Sequence, residues 1–365
     1  MWSARMWLGC GFTAWCQLLF RHRFAVDWRY GHIAVADTIG SVVNLLCGLA
    51  EHLTHGHRVR GARIARDPIF IIGHWRSGTT LLHELLGLDE RHTYPTTYRC
   101  MAPCHFLLTE RFFRHLFGWA IPRRRPMDNM AVSWDHPQED EFALCMMGVP
   151  SPYLTIAFPN SPHHFSKFID LQGLSRAELE RWKARFVHFL KKLTLRDPRR
   201  LVLKSPLHTC RIPVLLELFP RARFVHIVRD PYAVFPSTVQ LWSSLYRSHG
   251  LQRPRLHGLG DFVFDTYRLV HARYQECRPQ IPPGQLHELR YEDLTRDPIG
   301  QMRALYEKLD LGGFDRVMPR LERYLANTAD YTTNRYELKP EQVAEIGSRW
   351  GDIIRDLGYE KANLH

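Results

Sequence analysis

The sequence predicts an α/β fold, a P-loop-like parallel sheet flanked by helices, with helical insertions and an N-terminal helical segment. Three apolar runs carry that expectation: residues 69–72, 201–204 and 224–228. Strands buried on both faces read as continuous apolar stretches. Each run precedes a helix signal, and alternating strands and helices imply a parallel sheet covered on both faces. A length of 365 residues suits one large domain or two small ones. With 45% hydrophobic and 24% charged residues, wholesale disorder is excluded.

Residues 1–66 differ in texture from the rest. They hold eight Arg, no Lys and three acids around two apolar stretches, Met6 to Phe20 and Ile33 to Ala50. Neither reaches the roughly 20 uninterrupted apolar residues of a span, so several membrane crossings are excluded. Arg5 before a short apolar core resembles a signal peptide, but Gly9, Gly11 and Gln17 interrupt the core and no small-x-small cleavage site follows. Two readings stand: an amphipathic helical pair on a membrane surface through residues 1–60, or a helical hairpin packed on the main domain.

From residue 67 to 365 the chain reads as the main domain. Pro68 to Gly73 predicts a buried strand, and Ser77-Gly78-Thr79-Thr80 leads into a helix with Leu81, Leu82, Leu85 and Leu86. Residues 90–199 lack strand–helix rhythm and read as insertions that cover the acceptor end of the sheet. Strand signals return at Leu201–Lys204, before a helix over Pro213 to Phe219, and at Phe224–Val228, before a helix from Pro231. A further strand is expected over His287–Tyr291, with a helix over Gln301 to Leu309.

A net charge of +12, with 21 His in reserve, suits an anionic partner. No DNA- or RNA-binding motif accompanies the charge, so nucleic acid is not expected. The eight cysteines form no CxxC pair, and Cys100, Cys104 and His105 lack a second pair at metal-ligand spacing. Reduced thiols are expected, which places the chain in the cytoplasm, or peripherally on the inner face of the membrane. Nothing in the chain sets an oligomeric state.

Gly73-His74-Trp75-Arg76-Ser77-Gly78-Thr79-Thr80 has the spacing of a phosphate loop. Backbone N–H groups and the dipole at a helix N-terminus hold an anion there. Thr79 stands where a nucleoside triphosphatase has its lysine, and the nearby cation is Arg76. Asp230 precedes Pro231 and reads as a helix N-cap rather than a magnesium ligand. Arg229 ends a strand, and Ser237 follows eight residues on, a pair suited to a second phosphate. Lys204 also ends a strand, where open α/β sheets bind ligands.

Together these segments resemble the sulfotransferases that use 3'-phosphoadenosine-5'-phosphosulfate (PAPS). Phe70 to Thr80 is similar to the family's 5'-phosphosulfate loop, in the Arg-Ser-Gly-Thr-Thr form of the tyrosylprotein and related bacterial branch. Phe224 to Ser237 resembles its 3'-phosphate motif, and Tyr291-Glu292-Asp293-Leu294 its Tyr-Glu-Asp segment, whose tyrosine lies near adenine. The likeness runs from about residue 67 to about 359, and looks strongest toward bacterial enzymes that sulfate membrane lipids, including menaquinone. The resemblance implies PAPS as co-substrate, held by Arg76, Ser77, Gly78, Thr79, Thr80, Arg229, Ser237 and Tyr291. It implies in-line transfer of a sulfuryl group to an acceptor hydroxyl, of a lipid or a glycan, with Lys204 at the leaving oxygen and no metal required.

The general base departs from the family's pattern. Lys204-Ser205-Pro206-Leu207-His208 has proline where cytosolic members carry histidine, and Thr93 to Thr97 has no carboxylate where the tyrosylprotein branch has glutamate. Glu139 and Glu141 in His136–Glu141 are the carboxylate candidates, against a solvated helix start. They cannot share a helix face, so one of them at most is expected to act, Glu141 ranking ahead of Glu139, and His208 is the third candidate. His52, His55 and His57 suggest a surface cluster or a metal site, and Arg123-Arg124-Arg125 an anion contact or a solvated run. Competing readings are a P-loop kinase or nucleoside triphosphatase and an inactive anion-binding membrane protein. The missing Walker lysine disfavours the first, and the joint presence of Arg76, Lys204, Arg229 and Ser237 disfavours the second.

Overall fold

In a computed structural model, residues 5–64, 66–116, 133–161, 166–328 and 336–360 are described; Arg123–Arg125 lie outside them. The chain forms two compact units. One comprises Met1–Arg66, Thr93–Leu201 and Ser243–Leu256, the other Asp67–His92, Val202–Trp242 and His257–His365.

The elements run α1 (Phe12–Arg21), α2 (Gly31–Gly61), β1 (Ile69–Ile72), α3 (Thr79–Gly87), β2 (His92–Thr93), α4 (Thr97–Met101), α5 (Phe106–Leu116), α6 (Asp140–Met146) and α7 (Arg176–Arg196). Then follow β3 (Arg200–Lys204), α8 (Ile212–Leu218), β4 (Arg223–Val228), α9 (Pro231–His249), α10 (Leu259–Cys277) and β5 (Leu286–Arg290). Helices α11 (Tyr291–Arg296), α12 (Pro298–Lys308), α13 (Phe314–Asn327) and α14 (Pro340–Asp356) complete the chain.

The sheet has the order β2-β3-β1-β4-β5. β1 pairs in parallel with β3 and β4, and β4 with β5, in the register Ile71↔Lys204, Ile72↔His226 and Val228↔Arg290. That register aligns the carboxyl ends of β1, β3, β4 and β5, the edge at which such sheets bind ligands. One face buries Ile69, Ile71, Val225 and Ile227 against Leu82 and Leu86 of α3, Leu305 of α12 and Leu321 of α13. On the other face Phe70 stacks on Phe224 at 5.6 Å. The sequence anticipated β1, β3, β4 and β5 but not β2, and Tyr291, expected to end the last strand, instead begins α11, which follows β5 without a break.

In the first unit, α2 is inverted. Its buried side holds Asp37, Ser41, Asn44 and Glu51, while Val35, Ile39, Leu46, Leu49 and Leu53 are exposed. Polar partners account for most of that buried side. Asn44 Nδ2 donates to Leu8 O at 2.7 Å and Cys10 O at 3.0 Å. Glu51 accepts from Leu107 N at 2.7 Å, at the start of α5, and pairs with Lys192. With Asp37 and Asn44 on the inward side, the apolar residues run uninterrupted outward. By length and composition alone, Trp28–Gly61 is long and apolar enough to cross a membrane.

Asp37 is the exception to this pairing. Its carboxylate oxygens are buried without a hydrogen-bond partner. Burial raises its pKa to about 7, with Arg5 pulling the other way. The folded carboxyl therefore keeps its proton up to about pH 7, while the unfolded chain releases it near 3.8. Its contribution is fully present below the unfolded value and is lost as pH rises to about 7. Asp37→Asn is expected to match the parent at pH 4 and to be more stable at pH 8, on the order of 2–4 kcal/mol. Paired denaturant titrations at the two pH values check this, and an equal difference at both would contradict it.

Candidate anion-binding active site

The loop between β1 and α3 is fixed by its own glycines and internal hydrogen bonds. Gly73 and Gly78 take φ of 144° and 102°, conformations that side chains rarely adopt. A Cβ at Gly73 would fall 2.4 Å from Ile227 O, and one at Gly78 2.3 Å from Tyr291 Cδ2. Gly73 N–H donates to Thr209 Oγ1 at 2.8 Å, and that hydroxyl donates back to Gly73 O at 3.2 Å. Ser77 Oγ donates to His74 O at 2.8 Å. Arg76 also takes a left-handed φ, of 68°. Beyond Gly78, the first turn of α3 presents Thr79 and Thr80 together with unpaired N–H groups of a helix start.

Two cations, Lys204 and Arg229, lie beside this loop within the second unit, and a third, Arg76, belongs to it. Lys204, the last residue of β3 and 3% exposed, donates from Nζ to Thr80 Oγ1 at 3.5 Å, a long contact. Arg229, just beyond β4, lies over the Tyr291 ring at 4.3 Å and donates to Arg76 O at 3.4 Å. Arg76 Nε donates to Ser237 Oγ at 2.7 Å. The sequence had placed Arg76 beside the loop's own anion; its guanidinium turns instead to Ser237. The arrangement thus offers one anion site at Lys204, Thr79 and Thr80, and another at Arg76, Arg229 and Ser237.

Asp230 caps α9 as expected, its Oδ1 accepting from Tyr232 N at 2.9 Å. A brace that the sequence did not suggest holds it there. Glu292 accepts from Asp230 N at 3.0 Å through one oxygen and from the Tyr359 hydroxyl at 2.7 Å through the other. Tyr359 gets there through the turn after α14, where Gly358 has φ 68°, and Gly358 N and Tyr359 N bond to Arg355 O and Ile354 O. Tyr291 and Glu292, adjacent in sequence, therefore cover the loop glycine and fix the backbone beside Arg229.

The base candidates have different surroundings. His208 has no exposed surface and meets Phe70 edge-on at 5.3 Å. His74 is held neutral by burial, its pKa pushed down to about 3. In the first unit, Glu139 is the half-buried N-cap of α6 and accepts a hydrogen bond from the Tyr153 hydroxyl. Asp140 and Glu141, in the first turn, are fully buried, so a solvated helix start does not describe them. Among the described residues no group of three or more His, Cys, Asp or Glu is placed to hold a metal. His105 uses its ring nitrogens on Thr109 and Asn44, and all eight cysteines are free thiols.

Comparison with known proteins agrees with this geometry. A family model described as "Sulfotransferase family" matches residues 68–316. The omega-hydroxy-beta-dihydromenaquinone-9 sulfotransferase Stf3 of Mycobacterium bovis is 51% identical over 360 residues, covering 99% of this chain and 92% of its own. Carbohydrate sulfotransferase 5 of Mus musculus is 33% identical over 129 residues, 32% of this chain and 30% of its own. In fold, the chain is similar to sulfotransferase STF1 from Mycobacterium tuberculosis, with TM-score 0.62, 18% identity, and 93% and 92% of the two chains covered. Sulfotransferase STF9 from Mycobacterium avium has the same TM-score of 0.62 at 20% identity, covering 85% and 81%. With a family match over most of its length and a relative alike from end to end, this chain belongs to the sulfotransferase family.

Proposed function

We propose that this sulfotransferase moves a sulfuryl group from PAPS to the hydroxyl at the end of a membrane lipid's isoprenoid chain, that of an ω-hydroxylated menaquinone above all. The 51% identity, over 99% of the chain, to an enzyme named for that substrate carries the reading. The 5'-phosphosulfate sits at the α3 N-terminus against Ser77, Gly78, Thr79 and Thr80. Arg229, Ser237 and Arg76 take the 3'-phosphate, and Tyr291 borders the adenine. The acceptor oxygen attacks sulfur as the bond from sulfur to the 5'-phosphate oxygen breaks. Lys204 neutralises the charge that collects on that oxygen. A base removes the hydroxyl proton; Glu139 stands first, ahead of Glu141 and His208, because it alone of the three keeps exposed surface. Fixed cations and helix N–H groups serve here without a metal. The enzyme works from the cytoplasmic side, peripherally on the membrane that holds its acceptor.

In EDTA, adenosine 3',5'-bisphosphate is expected to bind by calorimetry, and Arg229→Ala to weaken it about 10- to 100-fold, the worth of a charged hydrogen-bonding group. Adenosine 5'-phosphosulfate, lacking the 3'-phosphate, loses little in the same variant. Equal losses for both ligands remove Arg229 from that role. Tighter binding of magnesium-ATP by the parent protein contradicts the donor assignment.

A further inference from the structure

Among the described residues, every large apolar side chain that is exposed lies between residues 20 and 53 or at 108 and 112. Trp28 is 82% exposed and Leu53 85%. Val35, Ile39, Val42, Leu46, Leu49 and Leu53 recur at intervals of three and four, which aligns them along one side of α2. Phe20, Phe24 and Trp28, exposed in the segment that leads into α2, add further apolar surface. Leu108 and Phe112 widen it from α5, whose first turn is tied to α2 through Glu51. The opposite side of α2 holds the polar residues and is packed inward. In water this inversion leaves a contiguous apolar face uncovered, and such faces mark interaction sites.

The charge around that face identifies its occupant. Arg21, Arg23 and Arg29 are exposed at one end, and Arg58, Arg60 and Arg63 at the other. The acids of α2, Asp37 and Glu51, are both buried. A second copy packed on the same stripe would bring arginine against arginine in either orientation, with no exposed α2 acid to answer it. An anionic bilayer answers both features, taking the apolar stripe into its acyl boundary and the arginines among its headgroups. Crossing the bilayer would place the buried side of α2, with Asp37 and Glu51, in hydrocarbon.

We infer that α2, with Trp28 and the exposed edge of α5, is a docking face that seats the protein flat on an anionic lipid surface. This deepens the proposed function, since it names the surface by which the enzyme reaches a lipid acceptor.

The full-length protein is mixed with sucrose-loaded vesicles of phosphatidylglycerol or of phosphatidylcholine and sedimented. The parent is expected to bind phosphatidylglycerol vesicles at least about 10-fold more strongly. The double variant Leu46→Glu, Leu53→Glu is expected to lose about 10-fold or more, and Arg58→Glu with Arg60→Glu to lose the preference between lipids. Alkaline carbonate is expected to release the bound protein. Binding that survives Leu46→Glu, Leu53→Glu, resistance to carbonate, or a dimer in light scattering that the same variant abolishes would each overturn the inference. Sulfation of an acceptor dissolved in detergent is the control: it stays at parental rate in the docking variants. If the parent also fails to sulfate it, the proposed function has failed; normal sulfation without vesicle binding overturns the docking face alone.

Discussion

Lys204→Ala is expected to lower turnover about 100- to 1,000-fold, the scale for removing one preorganised group that stabilises charge in the transition state. Binding of adenosine 3',5'-bisphosphate should change far less, because the Arg76, Arg229 and Ser237 cluster is untouched. The strand register supplies the reason. Lys204 is the Cα partner of Ile71, one residue short of the end of β1, so its ammonium is delivered beside the loop by backbone pairing. Its contact with Thr80 at 3.5 Å is long enough to yield to a phosphate oxygen. Single-turnover rates with saturating donor measure the chemical step apart from binding. Unchanged turnover would remove Lys204 from the chemistry and with it the strand-end assignment.

Among Glu139→Gln, Glu141→Gln and His208→Ala, one variant is expected to lose about 100-fold or more in turnover while keeping its affinity for the desulfated donor, as general acid–base catalysis requires. Glu139→Gln is the expected one. Its carboxylate is half-buried at the N-cap position of α6, makes no capping hydrogen bond and accepts from the Tyr153 hydroxyl, and Gln preserves shape while removing the proton-accepting charge. Losses in Glu141→Gln or His208→Ala accompanied by a lower unfolding temperature would mark those fully buried side chains as structural. Turnover at parental level in all three would place the base elsewhere.

Much of the fold was legible because its central strands are buried on both sides. Ile69 to Ile72 have no exposed surface, and such strands cannot hide their pattern. The anion loop was equally readable, since glycines at 73 and 78 meet a geometric demand that no other residue satisfies cheaply. Lys204, Arg229 and Tyr291 follow from strand ends, which the same apolar runs mark out. What escaped depends on contacts between distant segments. Thr209 clamps Gly73 across 136 residues, and Tyr359 reaches Glu292 across 67; neither residue type nor local spacing announces this. Helix α2 was visible as an apolar stretch, but its length to Gly61 and its inversion were not. Deciding which side is inward requires Leu8, Cys10 and Leu107, whose backbone groups bind Asn44 and Glu51.

The central claim is sulfuryl transfer from PAPS to a lipid's terminal hydroxyl. Its most direct measurement is a transfer assay with radiolabelled PAPS, the purified protein and ω-hydroxylated dihydromenaquinone in detergent. The same quinone without the hydroxyl, a glycan and a phenol run in parallel. Label is expected in the hydroxylated quinone alone, with adenosine 3',5'-bisphosphate formed in equal amount and no effect of EDTA. Label in the glycan or phenol with none in the hydroxylated quinone would contradict the account.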